Sequence, residues 1–167
     1  MVSYVETITA PAMKEFSFDR ELGGKRHAVT LTLELKPLER GKGTQVDVSR
    51  DFKNAIPDPK LADIVMQGLN DGISTGVLAR FPMTDLSVTA VRCALVDPEI
   101  SDEIAFRSAA VMGSREAAEA AAPELLEPIM NVTVNFPEEH MGDVMGDLNS
   151  RRAQLRGMDD NYGATEI

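Results

Sequence analysis

Four acidic side chains within a short stretch form the densest set of chemically capable groups in this sequence: Asp97, Glu99, Asp102 and Glu103. Paired carboxylates can serve as general acid and base in a hydrolase, and a cluster of them can bind a cation. The same residues also fit a solvated loop that places negative charge at the start of a helix, where the helix dipole favours it. We favour the loop-and-helix interpretation, and a small acidic hydrolase built on Asp97, Glu99 and Glu103 is kept as a remote alternative.

Other reactive side chains are few and scattered. His27 and His140 are the only histidines, and Cys93 is the only cysteine, so the ligand count that zinc needs is not reached. No histidine is near Cys93 in sequence, which favours a buried, inert thiol. The Gly-Lys-Gly-Thr run at residues 41–44 lacks the spacing of a phosphate-binding loop and predicts a surface turn. We therefore expect no metal, no bound GTP and no other cofactor in this chain.

Three arginines near the carboxyl end leave two interpretations open. Arg151, Arg152 and Arg156 follow a predicted helix. They could contact RNA phosphate, or they could complement the negative carboxyl end of that helix.

Composition limits the class of protein. At 43% hydrophobic residues the chain can build a core, which must be aliphatic because only 5% of residues are aromatic. The net charge of −10 argues against a general nucleic-acid binder, although a small basic patch could still contact RNA. A single cysteine fits a reducing compartment, and no signal peptide or membrane-spanning run is present, so we expect a cytoplasmic protein without membrane contact.

The first half of the chain predicts strands and a polar turn. Val29, Leu31, Leu33 and Leu35 alternate with polar residues, the pattern of a half-buried strand. Further strands are predicted at residues 4–8, 16–18, 45–48 and 86–93. Residues 21–27 contain two adjacent glycines and predict a polar loop.

Two amphipathic helices are predicted between and after these strands. Apolar residues at helical spacing mark the first helix: Leu61, Ile64, Val65, Leu69 and Ile73. Asp58 is its expected cap and Pro59 suits its first position. The second helix is expected to start at a Ser101 cap and to end before Pro123. Its packed side is predicted to comprise Ile104, Ala105, Ser108, Ala109, Val111 and Met112.

The remainder predicts one strand-helix unit and two further strands. Alternation over residues 130–136 predicts a strand, and Pro137 ends it. Met141, Val144, Met145 and Leu148 then form one apolar helical stripe. Residues 153–158 predict a strand, residues 159–163 a turn, and residues 164–167 the beginning of a last strand.

These later residues resemble a known family. Leu-Leu-Glu-Pro-Ile-Met at 125–130, Pro-Glu-Glu at 137–139 and Met-Gly-Asp-Val-Met-Gly-Asp-Leu-Asn-Ser-Arg-Arg at 141–152 resemble the junction between the fourth and fifth domains of bacterial translation elongation factor G. A weaker resemblance covers Tyr-Val-Glu-Thr-Ile at 4–8, Pro-Leu-Glu-Arg-Gly-Lys-Gly at 37–43, Gly-Val-Leu-Ala at 76–79 and Glu-Ile-Ala-Phe at 103–106.

The resemblance implies an α+β fold in two parts. Residues 1–122 would form the fourth domain, a small sheet backed by two helices with a left-handed βαβ crossover (ribosomal protein S5 domain 2-like). Sequence pattern alone would favour a right-handed crossover. Residues 126–167 would form the first part of the fifth domain, an incomplete ferredoxin-like βαβ piece. Its uncovered apolar faces lead us to expect that this part is mobile or that it pairs with another copy of the chain.

Two loops are expected at the tip of the first part. In the family, loops at this end of the fourth domain enter the decoding centre beside messenger and transfer RNA. The matching residues here are Gly23, Gly24, Lys25, Arg26 and His27 in one loop, and Val96, Asp97, Pro98 and Glu99 in the other. Asp97 stands where the family has a histidine, which places an anion near RNA and indicates a divergent paralogue.

The function implied by the resemblance is mechanical. The chain would be a ribosome-binding module of a translational GTPase that occupies the A-site region as a mimic of a transfer-RNA anticodon arm and promotes translocation. Its partners would be ribosomal RNA, messenger RNA, transfer RNA and other domains of the parent chain. GTP and magnesium would bind a parent domain outside this sequence, so the chain itself would not be an enzyme. Action in ribosome recycling or rescue is the alternative within this class.

Overall fold

The computed structural model describes residues 3–129, 131–161 and 164–166. The chain divides after Pro128 into two compact units. The first unit contains the strands β1 (Val5–Ile8), β2 (Ala12–Leu22), β3 (Lys25–Pro37), β4 (Thr44–Val48), β5 (Leu86–Leu95) and β6 (Pro123–Leu126), and the helices α1 (Arg50–Ala55), α2 (Lys60–Ile73) and α3 (Glu103–Ala120). The second contains β7 (Asn135–Pro137), a 3-10 turn (Glu138–His140), α4 (Met141–Ser150), β8 (Asp159–Asn161) and β9 (Ala164–Glu166).

A four-stranded sheet carries the first unit, with the strand order β2-β3-β5-β4. Neighbours pair antiparallel except for β4 and β5, which run parallel and are joined through α1 and α2. Because side chains alternate across a strand, every second residue in the middle of β3 faces the helices. Leu31, Leu33 and Leu35 are fully buried there, as the alternating pattern predicts.

The predicted helices α2 and α3 are confirmed, and small residues bring them into close contact. The start of α2 differs from the prediction, because the helix begins at Lys60 and Pro59, not Asp58, is its cap; Asp58 accepts from the Lys60 N–H. A Cβ added to Gly72 would collide with the Ser114 hydroxyl, and one added to Gly68 would lie 2.8 Å from the Ala110 Cβ. The alanine-rich sequence of α3 therefore reflects close helix packing. The short helix α1, which the sequence analysis missed, adds Phe52 to the core, where its ring meets that of Phe106 edge-on.

The start of α3 differs from the prediction. The capping residue is Asp102, whose carboxylate accepts from the Ala105 N–H, so the assignment of the cap to Ser101 is wrong. Ile104, predicted on the packed side, is 47% exposed. The helix ends at Ala120, before Pro123 as expected. Pro123 then begins strand β6, which was not predicted and which pairs antiparallel with β1.

The second unit is a split β-α-β arrangement. Its strand order is β7-β9-β8, with β9 antiparallel to both neighbours. This is the arrangement of the first half of a ferredoxin-like fold, as expected from the resemblance. The helix stripe is confirmed, since Met141, Val144, Met145 and Leu148 are its half-buried residues.

The strand predictions for this unit are only partly correct. Residues 131–134 are irregular, and the strand expected over 130–136 begins at Asn135; Met130 lies outside the described residues. Residues 153–158 form no strand, and residues 159–161, predicted to turn, are strand β8. The rest of that predicted turn, residues 162 and 163, lies outside the described part of the chain, as does residue 167 at the end of the predicted last strand.

Candidate nucleic-acid interface

The first candidate loop is a tight hairpin. Strand β2 continues to Leu22 and β3 begins at Lys25, so only Gly23 and Gly24 form the turn and the prediction of a loop over 21–27 is wrong. Both glycines have positive φ, 61° and 79°. A two-residue turn of this kind matches the twist of the paired strands and requires residues that tolerate the left-handed region. The two glycines therefore fix the shape of the hairpin end.

The second candidate loop folds against the base of that hairpin. Strand β5 ends at Leu95, opposite Val29. The Ala28 N–H donates to the Ile100 carbonyl at 2.9 Å. The Ser101 hydroxyl donates to the Ala28 carbonyl and accepts from the Val96 N–H. Both loops thus lie at one end of the sheet, and the hairpin extends roughly 15 Å beyond the end of β5 at about 3.3 Å per residue.

A buried histidine connects the hairpin to α3. His27 is 3% exposed, and its Nδ1 lies 2.7 and 2.9 Å from the two carboxylate oxygens of Asp102. Because a carboxylate only accepts, Nδ1 carries the proton and donates. The structure therefore corrects the expectation that His27 is presented at the tip surface: its side chain faces inward and fastens the hairpin to the start of α3.

Asp102 is the centre of this connection. It accepts from His27 and from the Ala105 N–H, and Lys25 Nζ lies 3.5 Å from its Oδ2. Burial acts to raise the pKa of Asp102, but the hydrogen bonds from His27 and Ala105, together with the Lys25 charge, lower it overall. The carboxylate is therefore held ionised, and Lys25 is partly neutralised.

Arg26 is neutralised more completely. Its guanidinium forms two hydrogen bonds with the Asp19 carboxylate across the hairpin, at 2.8 and 2.6 Å. The hydrogen bond with Arg26 lowers the pKa of Asp19, and the same bond raises the pKa of Arg26. Of the two cations predicted at the tip, Arg26 is therefore paired with Asp19 and Lys25 with Asp102. Neither partner was predicted from the sequence.

The loop that carries Asp97 is acidic and self-contained. Asp97 Oδ1 accepts from the Glu99 N–H at 2.9 Å, and the Asp97 carbonyl accepts from the N–H groups of Ile100 and Ser101. Asp97, Pro98 and Glu99 are exposed, and the Val96 side chain is 52% exposed. Within the described residues, no group of three or more His, Cys, Asp or Glu side chains could hold a metal ion.

Two of the three arginines predicted near the carboxyl end, Arg151 and Arg152, lie at the end of α4. Arg151 contacts Asp147 one turn earlier at 2.9 Å. Arg152 has a positive φ of 60°, and the Ala153 N–H donates to the Leu148 carbonyl, which closes the helix with a left-handed residue. Arg156 is exposed.

Two buried carboxylates organise the opposite end of the first unit, and the sequence analysis assigned neither a role. Glu6 is fully buried and accepts from the N–H groups of Leu78, Ala79 and Phe81. Asp85 accepts from the N–H groups of both Gly41 and Gly43. A signal was present in the sequence, because two of the runs that resemble elongation factor G contain these glycines and Glu6.

The remaining predicted features are structural. The Gly-Lys-Gly run is a turn held by Asp85, as its spacing indicates. Cys93 is half-buried, not buried as expected, and this partial burial raises the pKa of its thiol, which reduces its reactivity. Among the helices of the described chain, none is long and apolar enough to cross a membrane.

Comparisons with known proteins agree with this architecture. Residues 1–122 match the family described as elongation factor G, domain IV, and residues 124–167 match the elongation factor G C-terminus. The chain is 39% identical to elongation factor G of Chlamydia caviae over 166 residues, which cover 99% of this chain and 24% of that protein. A crystal structure from Thermus thermophilus superposes with a TM-score of 0.78 at 27% identity, covering 99% of this chain and 24% of that chain.

The two units and the paired loops define a piece of a multidomain translation elongation factor. The chain spans about a quarter of the length of the relatives that it matches. It belongs to the elongation factor G family: residues 1–122 match its domain IV, and residues 124–167 match its C-terminal family model.

Proposed function

We propose that the chain is the ribosome-binding module of an elongation-factor-G-like translational GTPase, with domain IV over residues 1–122 and the start of domain V over 126–167. It enters the A-site region as a mimic of a transfer-RNA anticodon arm and promotes translocation. The observation that supports this proposal is the projecting end of the first unit, where the Gly23-Gly24 hairpin and the loop at residues 96–99 lie together.

The geometry of this end suits a mechanical role. The hairpin is long and narrow, and it is fastened at its base by the contact between His27 and Asp102. A rigid projection can occupy a cleft and exclude another occupant without covalent chemistry. The residues that would contact ribosomal, messenger or transfer RNA are Gly23, Gly24, Lys25 and Arg26 of the hairpin, and Val96, Asp97, Pro98 and Glu99 of the loop.

Action in ribosome recycling or rescue is the second candidate, and the charge of the tip favours it. Lys25 and Arg26 are paired with acids, and Asp97 and Glu99 add exposed negative charge. An anionic tip is repelled by RNA phosphate. A factor of this kind would depend on shape at its tip more than on electrostatic attraction.

A chimeric factor tests the proposal. This chain replaces the matching segment of Chlamydia caviae elongation factor G, and single-round translocation is measured by stopped flow. The expected result is translocation well above the rate of the factor lacking the segment. A chimera that binds ribosomes and hydrolyses GTP but does not translocate would favour recycling or rescue, which a subunit-splitting assay then measures.

A further inference from the structure

The cations at the two ends of the first unit differ in their partners. At the hairpin, Arg26 and Lys25 lie within 4 Å of carboxylates. At the opposite end, Arg40, Lys42 and Arg80 are exposed, and none of their side chains makes a hydrogen bond or ion pair with the described residues. A cation without an internal partner keeps its full charge for an external anion.

Arg40 and Lys42 lie on a loop whose backbone is fixed from within. The loop at residues 38–43 joins β3 to β4, at the end of β3 that is farthest from the hairpin. The Asp85 carboxylate accepts from the N–H groups of Gly41 and Gly43, at 3.1 and 2.9 Å. Lys42 lies between these two anchored residues, so its backbone position is set before any partner binds.

Arg80 lies on a second loop that is fixed in the same way. The Glu6 carboxylate accepts from the residues on both sides of Arg80, Ala79 and Phe81, at 3.1 and 2.8 Å. The Gly76 N–H donates to the Phe81 carbonyl and closes the loop. At the start of this loop, the Arg115 side chain donates to backbone carbonyls, including that of Thr75.

Arg80 is also conformationally strained. Its φ of 64° lies in the left-handed region, which is unfavourable for a residue with a side chain. Glycine would adopt the same backbone without this cost. Strained residues cluster at functional sites, so the strain at Arg80 points to a role for its exposed side chain.

The two loops lie at the same end of the unit and are connected through residues 83–85 and Glu6. The Leu38 N–H donates to the Asp85 carbonyl at 2.8 Å, and the Thr44 hydroxyl donates to the Met83 carbonyl at 3.3 Å. The Thr84 N–H donates to the Glu6 carbonyl at 2.9 Å. One continuous set of hydrogen bonds therefore holds both loops, which we call the base loops (residues 38–43 and 76–82).

We propose that Arg40, Lys42 and Arg80 of the base loops contact the phosphate backbone of RNA, and that these residues supply the main electrostatic attraction of the first unit for the ribosome. The inference rests on the proposed ribosome-binding function and names the residues that carry it. In a chain with a net charge of −10, binding to a polyanion requires local cations that are not already neutralised. The base loops supply such cations on a fixed backbone, whereas Lys25 and Arg26 at the hairpin end lie against carboxylates. Arg20, farther from the hairpin turn, lies over the Phe18 ring and has no carboxylate partner among the described residues.

Binding of this 167-residue chain to purified ribosomes at several salt concentrations tests the inference. The variant is Arg40→Ala/Lys42→Ala/Arg80→Gly. The control, Arg50→Ala/Lys53→Ala/Lys60→Ala, removes the same charge from exposed positions on α1 and α2. The base-loop variant is expected to bind at least roughly tenfold more weakly at low salt, and the salt slope of its log affinity should fall by about two to three, roughly one for each lost phosphate contact. Arg80→Gly alone should raise the melting temperature, because the strain at residue 80 is removed.

Three outcomes would contradict these ideas in different ways. Equal binding by the unmodified chain and the base-loop variant would overturn the inference and would favour a protein, not RNA, as the partner of these loops. An equal loss in the control would show a general effect of net charge, which also overturns it. A failure of the unmodified chain to bind ribosomes would overturn the proposed function itself.

Discussion

His27 Nδ1 lies 2.7 Å from Asp102 Oδ2, and this contact joins the β2–β3 hairpin to the capping residue of α3. The two residues are far apart in the chain, and each also supports its own element. His27 pairs with Arg20 in the hairpin ladder, and Asp102 satisfies the Ala105 N–H. This contact, together with the hydrogen bonds of Ala28 with Ile100 and Ser101, therefore fixes the orientation of the hairpin.

The first prediction concerns this contact and its pH dependence. Asp102→Asn should lower the free energy of unfolding at pH 7 by about 1 kcal/mol, because the amide removes the charge that strengthens the contacts with His27 and Lys25. The helix cap itself should be kept, since an asparagine side-chain oxygen can still accept from the Ala105 N–H. The pKa of Asp102 is lowered in the fold, so its contribution is present above the ordinary aspartate pKa and is lost as pH falls through the lower folded value. Urea denaturation at pH 7 and pH 3 should show the difference from the unmodified protein shrinking in acid. A difference of equal size at both pH values would show that the carboxylate charge is not involved.

The second prediction concerns the hairpin turn. Gly24→Ala should destabilise the first unit by about 1 kcal/mol, because residue 24 has a φ of 79°, which is unfavourable for alanine. No neighbouring atom crowds an added Cβ, so the cost comes from the backbone conformation alone. Gly24→Asn is the matched control, since asparagine tolerates the left-handed region and should lose much less. Thermal melting of the two variants measures the difference. Equal melting temperatures would mean that the turn adopts another conformation.

The third prediction concerns the buried carboxylate beneath the 76–82 loop. Glu6→Gln leaves one acceptor oxygen for three N–H donors, and the new amide group faces donors instead of acceptors. We expect a loss of about 2–4 kcal/mol in the free energy of unfolding. Glu124→Gln, on the paired strand β6, changes an exposed side chain and should be nearly neutral. Similar values for the two variants in urea denaturation would contradict the assigned role of Glu6.

Much of the fold could be predicted from local patterns, and the exceptions have physical causes. The strand at Val29–Leu35 and the helix α2 follow from periodicity, because one face of each is buried. The sequence pattern predicts hairpin strands that are too short, because the outer part of the hairpin is exposed on both faces and lacks the alternation of apolar and polar residues. Strand β6 was missed because its pairing with β1 is a contact between distant residues that no local pattern encodes.

The candidate site could be predicted only in outline. Its glycines and its acidic loop were visible in the sequence, but the partners of its charged residues were not. The salt bridge between Asp19 and Arg26 depends on the register of the hairpin, and the contact between His27 and Asp102 depends on how α3 packs. In the second unit, the alternating Val132 and Val134 indicate a strand, yet residues 131–134 lie beyond the Asn135–Glu166 pair at the end of the described ladder. Among the described residues none pairs with 131–134, and the alternation of apolar residues there does not by itself produce a strand.

The fourth prediction concerns the charge of the tip. In the chimeric factor, Asp97→His should raise the rate of single-round translocation, because an exposed anion near RNA is replaced by a side chain that can carry positive charge. Asp97→Asn is the control for loss of charge alone, since its side-chain oxygen can still accept from the Glu99 N–H. The benefit of histidine should diminish at higher salt. Loss of translocation in Asp97→His would show that the aspartate itself is required at the tip.

Directed hydroxyl-radical cleavage tests most directly whether the hairpin end of the first unit enters the decoding region. The probe is attached to the chimeric factor at Val96→Cys, which is 52% exposed, in a background carrying Cys93→Ala. Leu78→Cys is the matched control, because it is 53% exposed and lies on a base loop at the other end. We expect cleavage of small-subunit ribosomal RNA at the decoding region from position 96 and not from position 78. Cleavage there from position 78, or from neither position while the factor remains bound, would contradict entry of this end into the A site.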